Sequence, residues 1–298
     1  MGAAHDHHAG ARHRWRLAVA FGLIAAFFLV ELAYALLSDS LSLLSDAGHM
    51  AADVVALGAA LVATRIAGRE DTTGRRTYGS YRAEVLASGL AVILMLGVAV
   101  YVFLEAMRRF GEPVEVQTTA MLVVGALGLV VNAAAILLLR GGAGESLNVR
   151  GAYLEVVADT AGSFGVIVAG VLVRATGEPL WDTVVALAIA VFVAFRAVPL
   201  GRQVLAVLAQ HVPAGMEPSD VTSDLAAING VSNVHDLHVW TLTSGMNVAT
   251  AHLVSTPGAD VERILREGQT LLRDSHDIAH ATLQVEPAEG DQCRDTDW

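Results

Sequence analysis

The chain has 298 residues, of which 54% are hydrophobic and only 16% are charged, and its formal net charge is -11. A water-soluble domain carries about 25% charged residues and a disordered chain lacks apolar ones, so this composition excludes both and indicates a membrane protein. The negative charge argues against nucleic acid as a partner, and the single cysteine, Cys293, excludes a disulfide scaffold.

The N-terminal segment, residues 1–13, is rich in histidine. Its histidines are His5, His7, His8 and His13. A short histidine tract attracts metal ions, so the segment either passes metal to a site in the membrane or is a tail of weak affinity. The apolar run that follows is longer than that of a secretory signal, which excludes a signal peptide.

Six apolar stretches follow, and each is long enough for a membrane-spanning helix, which needs about 20 residues. They cover residues 17–37, 41–66, 82–107, 116–139, 151–175 and 180–205. We therefore expect a six-helix membrane domain over residues 14–208. Arginines concentrate on one side of it, and the last span ends with Arg196 and Arg202 on that side. By the positive-inside rule, both termini lie in the cytoplasm.

Charged residues return after the last span, and the segments become shorter. The predicted elements are a helix over 218–228, strands over 233–242 and 247–254, a helix over 259–274 and a strand over 279–286. A Ser-Gly pair at 244–245 predicts the turn of a hairpin, and apolar and polar side chains alternate along the last strand. This αββαβ order predicts an α+β domain over residues 209–298, with its helices on one face of a sheet.

Two spans carry paired ionisable residues, which are costly in a bilayer and therefore indicate function. His49 and Asp53 lie four residues apart in span two, and Glu155 and Asp159 have the same spacing in span five. On a helix this spacing places both members of a pair on one face. Two such pairs can converge on a tetrahedral site of one imidazole and three carboxylates, which suits zinc or cobalt. The alternative reading is that the four residues only pack between helices.

Other polar residues lie inside the spans. Asp46 precedes His49 by three residues, and it either orients the imidazole ring or packs between helices. Asn132 and Ser163 are each expected to form an interhelical hydrogen bond, with no partner specified by the sequence. The role of Glu31 stays open between support of the metal site, a proton relay and an interhelical hydrogen bond.

Five different motifs lie along the chain. They are LSLLSDAGHM at 41–50 with Asp53, Tyr78-Gly79 with Arg82-Ala83-Glu84, NVRGAYLE at 148–155 with Asp159, VHDLHVW at 234–240 and HATLQVE at 280–286. These motifs resemble those of the cation diffusion facilitator family of divalent-metal exporters, and the resemblance covers nearly the whole chain. It implies that His49, Asp53, Glu155 and Asp159 form the transport site.

The resemblance also implies a function, which is export of zinc from the cytoplasm in exchange for protons. Many zinc-specific members carry histidine where this chain has Glu155, so the carboxylate predicts looser selectivity that admits cobalt, cadmium or iron. Metal ligands bind in their deprotonated form, so metal binding releases protons and supports exchange. The loop at 141–148 lacks the histidines found in many vesicular zinc transporters, which indicates a bacterial-type exporter in the cell membrane.

By the same resemblance, the C-terminal domain is ferredoxin-like, forms a homodimer and binds metal. His235 and His252 lie on adjacent predicted strands and His280 on the third, so the three can meet on one face of the sheet. Glu286 is a further candidate ligand. His238 is three residues from His235 and faces the other side of a regular strand.

Two other functions, an intramembrane metalloenzyme and a membrane metal sensor or channel, compete with that of a transporter. An intramembrane metalloenzyme is disfavoured, because span two does not carry an HExxH motif and no spare glutamate lies beside a ligand to act as a base. A membrane metal sensor would bind metal without moving it, and a channel would move metal without exchanging protons. We expect a transporter and not an enzyme.

Overall fold

The structure is a computed structural model that describes residues 7–67, 78, 81–110, 114–141, 147–243 and 245–287. His5, Gly79, Ser244 and Cys293 lie outside these residues. The chain divides into two compact units. One lies within Met1–Val62 and Ala87–Gly201, and the other within Ala63–Leu86 and Arg202–Trp298.

Six long helices precede the C-terminal domain. They are α1 (His7–Leu37), α2 (Leu41–Ala67), α3 (Arg82–Arg109), α4 (Thr118–Arg140), α5 (Leu147–Thr176) and α6 (Leu180–Leu208). Within the described residues, every one of these helices except α2 contains a segment that is long and apolar enough to cross a membrane. The helix α2 has 27 residues, and its first half carries Asp46, His49 and Asp53, which make it more polar.

The long helices expose large apolar side chains on their outer faces. Ile93 on α3 is 68% exposed, Leu29 on α1 is 64% exposed and Phe195 on α6 is 77% exposed. A water-soluble protein rarely exposes so much contiguous apolar surface. These apolar faces are stable in contact with the hydrocarbon of a bilayer. A helix can lie there because its backbone N–H and C=O groups bond to each other within the helix.

Glycines allow α4 to lie close to α1 and α5. A Cβ atom at Gly128 would lie 2.8 Å from Cζ of Phe27 on α1 and 2.7 Å from Oγ of Ser163 on α5. A Cβ atom at Gly125 would lie 2.8 Å from Cγ1 of Ile167 on α5. Small residues at such interfaces let helix backbones approach closely in membranes. Any larger side chain at either glycine would push α4 away from its neighbours.

The first turn of α2 is held by Asp182 on α6. The carboxylate of Asp182 is fully buried. It accepts hydrogen bonds from the N–H groups of Leu41 (2.7 Å) and Ser42 (3.1 Å) and from the hydroxyls of Ser40 (2.8 Å) and Ser42 (2.6 Å). The first N–H groups of a helix have no partner within the helix, and the helix dipole favours an anion there. This contact fixes the start of α2 against α6.

The second unit contains a three-stranded sheet with two helices. Its elements are α7 (Pro218–Ala226), β1 (Val231–Thr243), β2 (Met246–Ser255), α8 (Val261–His276) and β3 (His280–Pro287). The strand order is β1-β2-β3, with β1 antiparallel and β3 parallel to β2. Leu225 on α7 and Ile264 and Leu272 on α8 are fully buried in a core with Leu253 on β2. The order of elements agrees with the αββαβ order expected from the sequence.

Candidate metal centre

The helices α2 and α5 bring together three of the four residues that the sequence singles out within the spans. The Nε2 atom of His49 lies 3.7 Å from Oδ2 of Asp53 and 3.4 Å from Oδ1 of Asp159. One ligand atom from each residue lies within 4.8 Å of the other two, and all three side chains are buried. His49 and Asp53 share a face of α2 because four residues make about one helical turn.

The atoms in this group have the properties that a metal ion requires. Oδ2 of Asp53 and Oδ1 of Asp159 are buried, and neither accepts a hydrogen bond from any described residue. Buried polar groups in proteins nearly always have partners. Two carboxylates, each with an oxygen that receives no hydrogen bond from a described residue, converge on an imidazole and form a nitrogen and oxygen ligand set, which suits zinc and related dications.

Glu155, the fourth residue, is engaged by a different partner. Its carboxylate accepts a hydrogen bond from Nη2 of Arg196 on α6, and its side chain is 42% exposed. Nη1 of the same guanidinium lies 3.0 Å from Nε2 of His49. Arg196 therefore bridges Glu155 and His49. The sequence identified Arg196 only as a cation near the end of a span, because nothing in it states how α6 is rotated relative to α2.

A second buried polar group lies beside the first. Nδ2 of Asn132 donates to Oγ of Ser163 at 3.4 Å, and Oγ of Ser163 donates to Oδ2 of Asp46 at 3.4 Å. Asn132 and Ser163 thus each form an interhelical hydrogen bond, as expected, and the structure shows that they are each other's partners. Asp46 bonds to Ser163, whereas Nδ1 of His49 has no hydrogen-bond partner among the described residues. In this structure Asp46 connects helices and does not orient the imidazole ring.

The unit that contains the sheet holds a second group of candidate metal ligands. His235 on β1 and His252 on β2 are register partners in the antiparallel pair, and their ring centroids lie 5.1 Å apart. Oε2 of Glu286 on β3 lies 3.4 Å from Nε2 of His235, and its Oε1 lies 2.9 Å from Nδ1 of His252. Ligand atoms of the three residues lie within 4.8 Å of one another. Two imidazoles and a carboxylate are a ligand set that zinc accepts.

His280 does not join this group. It is paired with Val248 on β2, four residues before His252, whereas Glu286 is paired with Val254. At about 3.3 Å per residue, four residues separate His280 from His252 by about 13 Å along the strand. The ring of His280 instead packs edge-on against Tyr78, with the centroids 5.7 Å apart.

A bulge in β1 adds an acidic residue that the sequence analysis missed. The register of β1 shifts between His235 and His238, and Asp236 has a left-handed φ of 51°. Oδ2 of Asp236 lies 3.8 Å from Nε2 of His252, and its Oδ1 lies 2.9 Å from Nε2 of the exposed His238. A regular strand would alternate these side chains, and only the structure reveals the extra residue that redirects them.

One buried group of candidate ligands between long apolar helices, and a second, partly exposed group in an α+β domain, indicate an integral membrane protein that handles metal ions. The family model for the cation efflux transmembrane domain matches residues 17–209, and the model for the cation efflux protein cytoplasmic domain matches residues 213–288. The chain therefore belongs to the cation diffusion facilitator family of metal transporters. Its members are transporters and not enzymes.

Several relatives are similar over nearly the whole chain. The chain is 40% identical over 295 residues to the metal cation efflux system protein CzcD of Cupriavidus metallidurans, which covers 98% of this chain and 93% of the relative. It is 34% identical over 293 residues to the cadmium, cobalt and zinc/H(+)-K(+) antiporter of Bacillus velezensis, with coverages of 97% and 93%. It is 34% identical over 282 residues to the zinc transporter ZitB of Escherichia coli, with coverages of 93% and 90%.

A solved structure of the metal-bound C-terminal domain of a CzcD transporter is also similar. It is 38% identical to this chain, covers 24% of this chain and 99% of its own, and has a TM-score of 0.23.

Proposed function

We propose that this protein exports zinc from the cytoplasm in exchange for protons, with cobalt, cadmium or iron as further substrates. The observation that carries the proposal is the buried group of His49, Asp53 and Asp159 between α2 and α5. Buried ionisable residues in a membrane protein mark ion pathways. Support also comes from relatives whose names include zinc, cadmium and cobalt.

In the proposed transport site, Glu155 is the fourth ligand. It lies one helical turn before Asp159 on α5, and its carboxylate is partly exposed and held by Arg196. Rotation of the Glu155 side chain away from the guanidinium would complete a set of one nitrogen and three oxygen ligands. This carboxylate should bind a dication more strongly than it binds a guanidinium, because a dication carries two charges and forms direct coordination bonds.

The charges of the site favour exchange of one dication for two protons. Asp53, Glu155 and Asp159 together carry three negative charges when deprotonated, and Arg196 carries one positive charge. One divalent metal ion or two protons then brings these four groups to neutrality. Because an uncompensated charge is costly inside a bilayer, the site is stable in either loaded form. Metal ligands bind in the deprotonated state, so the two forms exclude each other.

The arrangement in the membrane follows from the same proposal. Residues 14–208 form six spans, with α2 as the second, and both termini lie in the cytoplasm of a bacterial cell. Residues 1–13 form a histidine-containing tail, and residues 209–298 form a ferredoxin-like domain through which two copies pair. The six-span reading is supported by the length of α2, which has 27 residues, and by the contact of its first turn with Asp182. The arginine distribution supports the orientation.

The cytoplasmic domain holds a further metal ion in this proposal. Its ligands are His235, His252 and Glu286. Nδ1 of His252 and Oε1 of Glu286 lie 2.9 Å apart, yet this nitrogen forms no hydrogen bond with any described residue. A contact this short without hydrogen-bond geometry fits two atoms that share a metal ion. His280 is not among the proposed ligands, because it pairs with Val248 and not with a residue next to His252.

The test is metal uptake into proteoliposomes that contain a pH-sensitive dye, with zinc, cobalt, cadmium and manganese compared side by side. We expect zinc to enter while protons move the opposite way. Asp53→Ala and Asp159→Ala should reduce both fluxes to background, whereas the exposed Glu178→Ala should leave them unchanged. Zinc binding without flux for any metal would favour a metal sensor, and zinc flux without proton movement would contradict the exchange.

A further inference from the structure

Arg196 contacts two of the four proposed ligands of the transport site. Its guanidinium donates a hydrogen bond to the carboxylate of Glu155, and its Nη1 atom lies 3.0 Å from Nε2 of His49. Glu155 belongs to α5 and His49 to α2, so one side chain of α6 contacts both of the helices that carry the proposed site. Arginine is not deprotonated in proteins. The guanidinium is therefore a permanent cation among metal ligands.

The proposed ligands differ in their exposure, and Arg196 lies beside the most exposed one. The side chain of Glu155 is 42% exposed, whereas those of His49 and Asp159 are 3% and 4% exposed. The side chain of Asp53 is intermediate at 11%. A charged carboxylate inside a membrane domain faces the protein interior or a water-filled cavity, so the site opens at Glu155. The side chain of Arg196, itself 24% exposed, lies at this opening.

In the proposed topology this opening faces the cytoplasm. The second span then runs toward the cytoplasm, and the fifth span runs away from it. Asp53 follows His49 by one turn on the second span, and Glu155 precedes Asp159 by one turn on the fifth. The two more exposed carboxylates are therefore also the two nearer to the cytoplasm. A metal ion that enters from this side meets Glu155 and its guanidinium partner before it meets His49.

The guanidinium is supported by its own helix but is not enclosed. Cζ of Arg196 lies 5.8 Å from the centre of the ring of Phe192, one helical turn earlier on α6, which is within the range of a cation–π interaction. This ring helps to keep the guanidinium beside the ligands. The arginine side chain is long and has several rotatable bonds. The guanidinium can therefore leave both ligands while the backbone of α6 stays in place.

A metal ion and the guanidinium exclude each other at His49. Nε2 of the imidazole has one lone pair, which it directs either to an N–H donor or to a metal ion. A lysine in place of Arg196 could resolve this conflict by losing its proton, but an arginine keeps its charge. Metal binding therefore requires the guanidinium to move away from His49, and return of the guanidinium requires the metal ion to leave.

We propose that Arg196 is a tethered competitor of the metal ion, which occupies His49 and Glu155 in the empty site and speeds release of the metal by returning to them. This inference rests on the proposed function of the site in transport. The competition lowers the affinity for metal, because metal binding must break the contacts of the guanidinium with two ligands. It also shortens the time for which the metal stays bound. A transporter needs both effects, since an ion that binds too tightly is not released.

The first test measures the rate of zinc uptake by the full chain in proteoliposomes as a function of zinc concentration. Arg196→Met keeps much of the apolar stem and removes the donors. We expect it to lower KM and kcat together, each by about tenfold, because zinc binds more tightly and leaves more slowly. Arg196→Lys keeps the charge but lacks the planar fork of donors, so its constants should lie between those of wild type and Arg196→Met. Arg174→Met, at an exposed position on α5, should leave both constants unchanged.

The second test does not depend on transport. Full-length protein in detergent is loaded with radioactive zinc and diluted into unlabelled zinc, and the dissociation rate is measured. A His252→Ala background removes a candidate ligand in the C-terminal domain, so that the label reports on the membrane site. We expect Arg196→Met to slow dissociation by about tenfold. Phe192→Leu removes the ring beside the guanidinium without changing any proposed ligand, so it should slow dissociation by a smaller factor.

The two tests distinguish failure of this inference from failure of the proposed function. Absence of zinc uptake by the wild-type chain would contradict transport, whereas the dissociation rates would still report on Arg196. Unchanged or faster zinc dissociation in Arg196→Met would overturn the inference, as would a KM or a kcat that does not fall, because the guanidinium would then support the metal-bound state or only the fold. Arg196→Lys and Phe192→Leu decide in the same way if Arg196→Met does not fold.

Discussion

Nη1 of Arg196 on α6 lies 3.0 Å from Nε2 of His49 on α2. A guanidinium has only donors, so Nε2 of the imidazole is the acceptor in this hydrogen bond and carries its lone pair toward Arg196. The same lone pair is the one that faces Asp53 and Asp159 and that a metal ion would use. A metal ion at the proposed site would therefore compete with Arg196 for one atom of His49 as well as for Glu155.

Replacing Arg196 should tighten metal binding. Arg196→Met keeps much of the apolar stem but removes the donors, so it frees Nε2 of His49 and the carboxylate of Glu155. We expect zinc affinity, measured by equilibrium titration in detergent, to rise by about tenfold. Arg174→Met, an exposed arginine on α5, is the control and should change nothing. Weaker zinc binding in Arg196→Met would mean that the guanidinium supports the metal-bound state.

Replacing Glu155 by histidine should narrow metal selectivity. Imidazole is a softer ligand than carboxylate and suits zinc, whereas carboxylates also accept harder ions. We expect Glu155→His to raise the ratio of zinc to cobalt and cadmium uptake by about tenfold. Proteoliposome uptake of the three metals under competition measures this ratio, and Glu155→Gln distinguishes loss of charge from gain of imidazole. An unchanged order of preference would count against Glu155 as a ligand.

Removing the carboxylate that holds the start of α2 should destabilise the membrane domain. Asp182→Asn keeps the shape of the side chain but turns one acceptor into a donor that faces the N–H groups of Leu41 and Ser42. Hydrogen bonds to charged groups contribute about 1.5–3 kcal/mol each, so we expect a loss of about 3 kcal/mol. Thermal unfolding in detergent measures it. Asp39→Asn is the control, because Asp39 is exposed and asparagine tolerates its left-handed φ of 53°.

The candidate ligand group in the C-terminal domain predicts different effects for substitutions of Glu286 and of His280. In an Asp53→Asn background, which removes the transport site, Glu286→Gln and His252→Ala should weaken zinc binding to the full chain. Partners in the outer shell of a metal already cost about 10- to 100-fold in affinity, and a ligand should cost at least as much. His280→Ala should bind zinc as the background does. Loss of binding in His280→Ala would require the strands to move relative to the register observed.

The sequence predicted the helices and the shared helix face of each pair of ionisable residues, because both depend on the helical repeat. The four-residue spacing of His49 and Asp53 specifies a shared face of α2 without reference to any other part of the chain. Residue spacing alone does not predict that α2 and α5 lie next to each other. That expectation came from the resemblance to a family. Local rules of this kind therefore predict which side chains of one element lie together.

Contacts between elements were harder to predict. Arg196 reaches His49 only because of the rotation of α6, and no periodicity encodes that rotation. His280 lies on the expected strand, but the register of β3 places Glu286 near His252 instead. Asp236 reaches the same site through a bulge in β1. Each of these outcomes depends on a shift of a few ångströms between two elements, which composition and alternation do not determine.

The hydrogen bond between Asp182 and Leu41 joins residues that are 141 positions apart. During synthesis α2 leaves the ribosome long before α6. Until α6 is inserted, the first turn of α2 lacks the Asp182 acceptor, and unsatisfied N–H groups are costly in a membrane. The helix that carries His49 and Asp53 therefore reaches its final register only when the last long helix has been inserted. Assembly of the candidate metal centre is thereby tied to completion of the membrane domain, and we expect a nascent chain that stops before α6 to lack an organised centre.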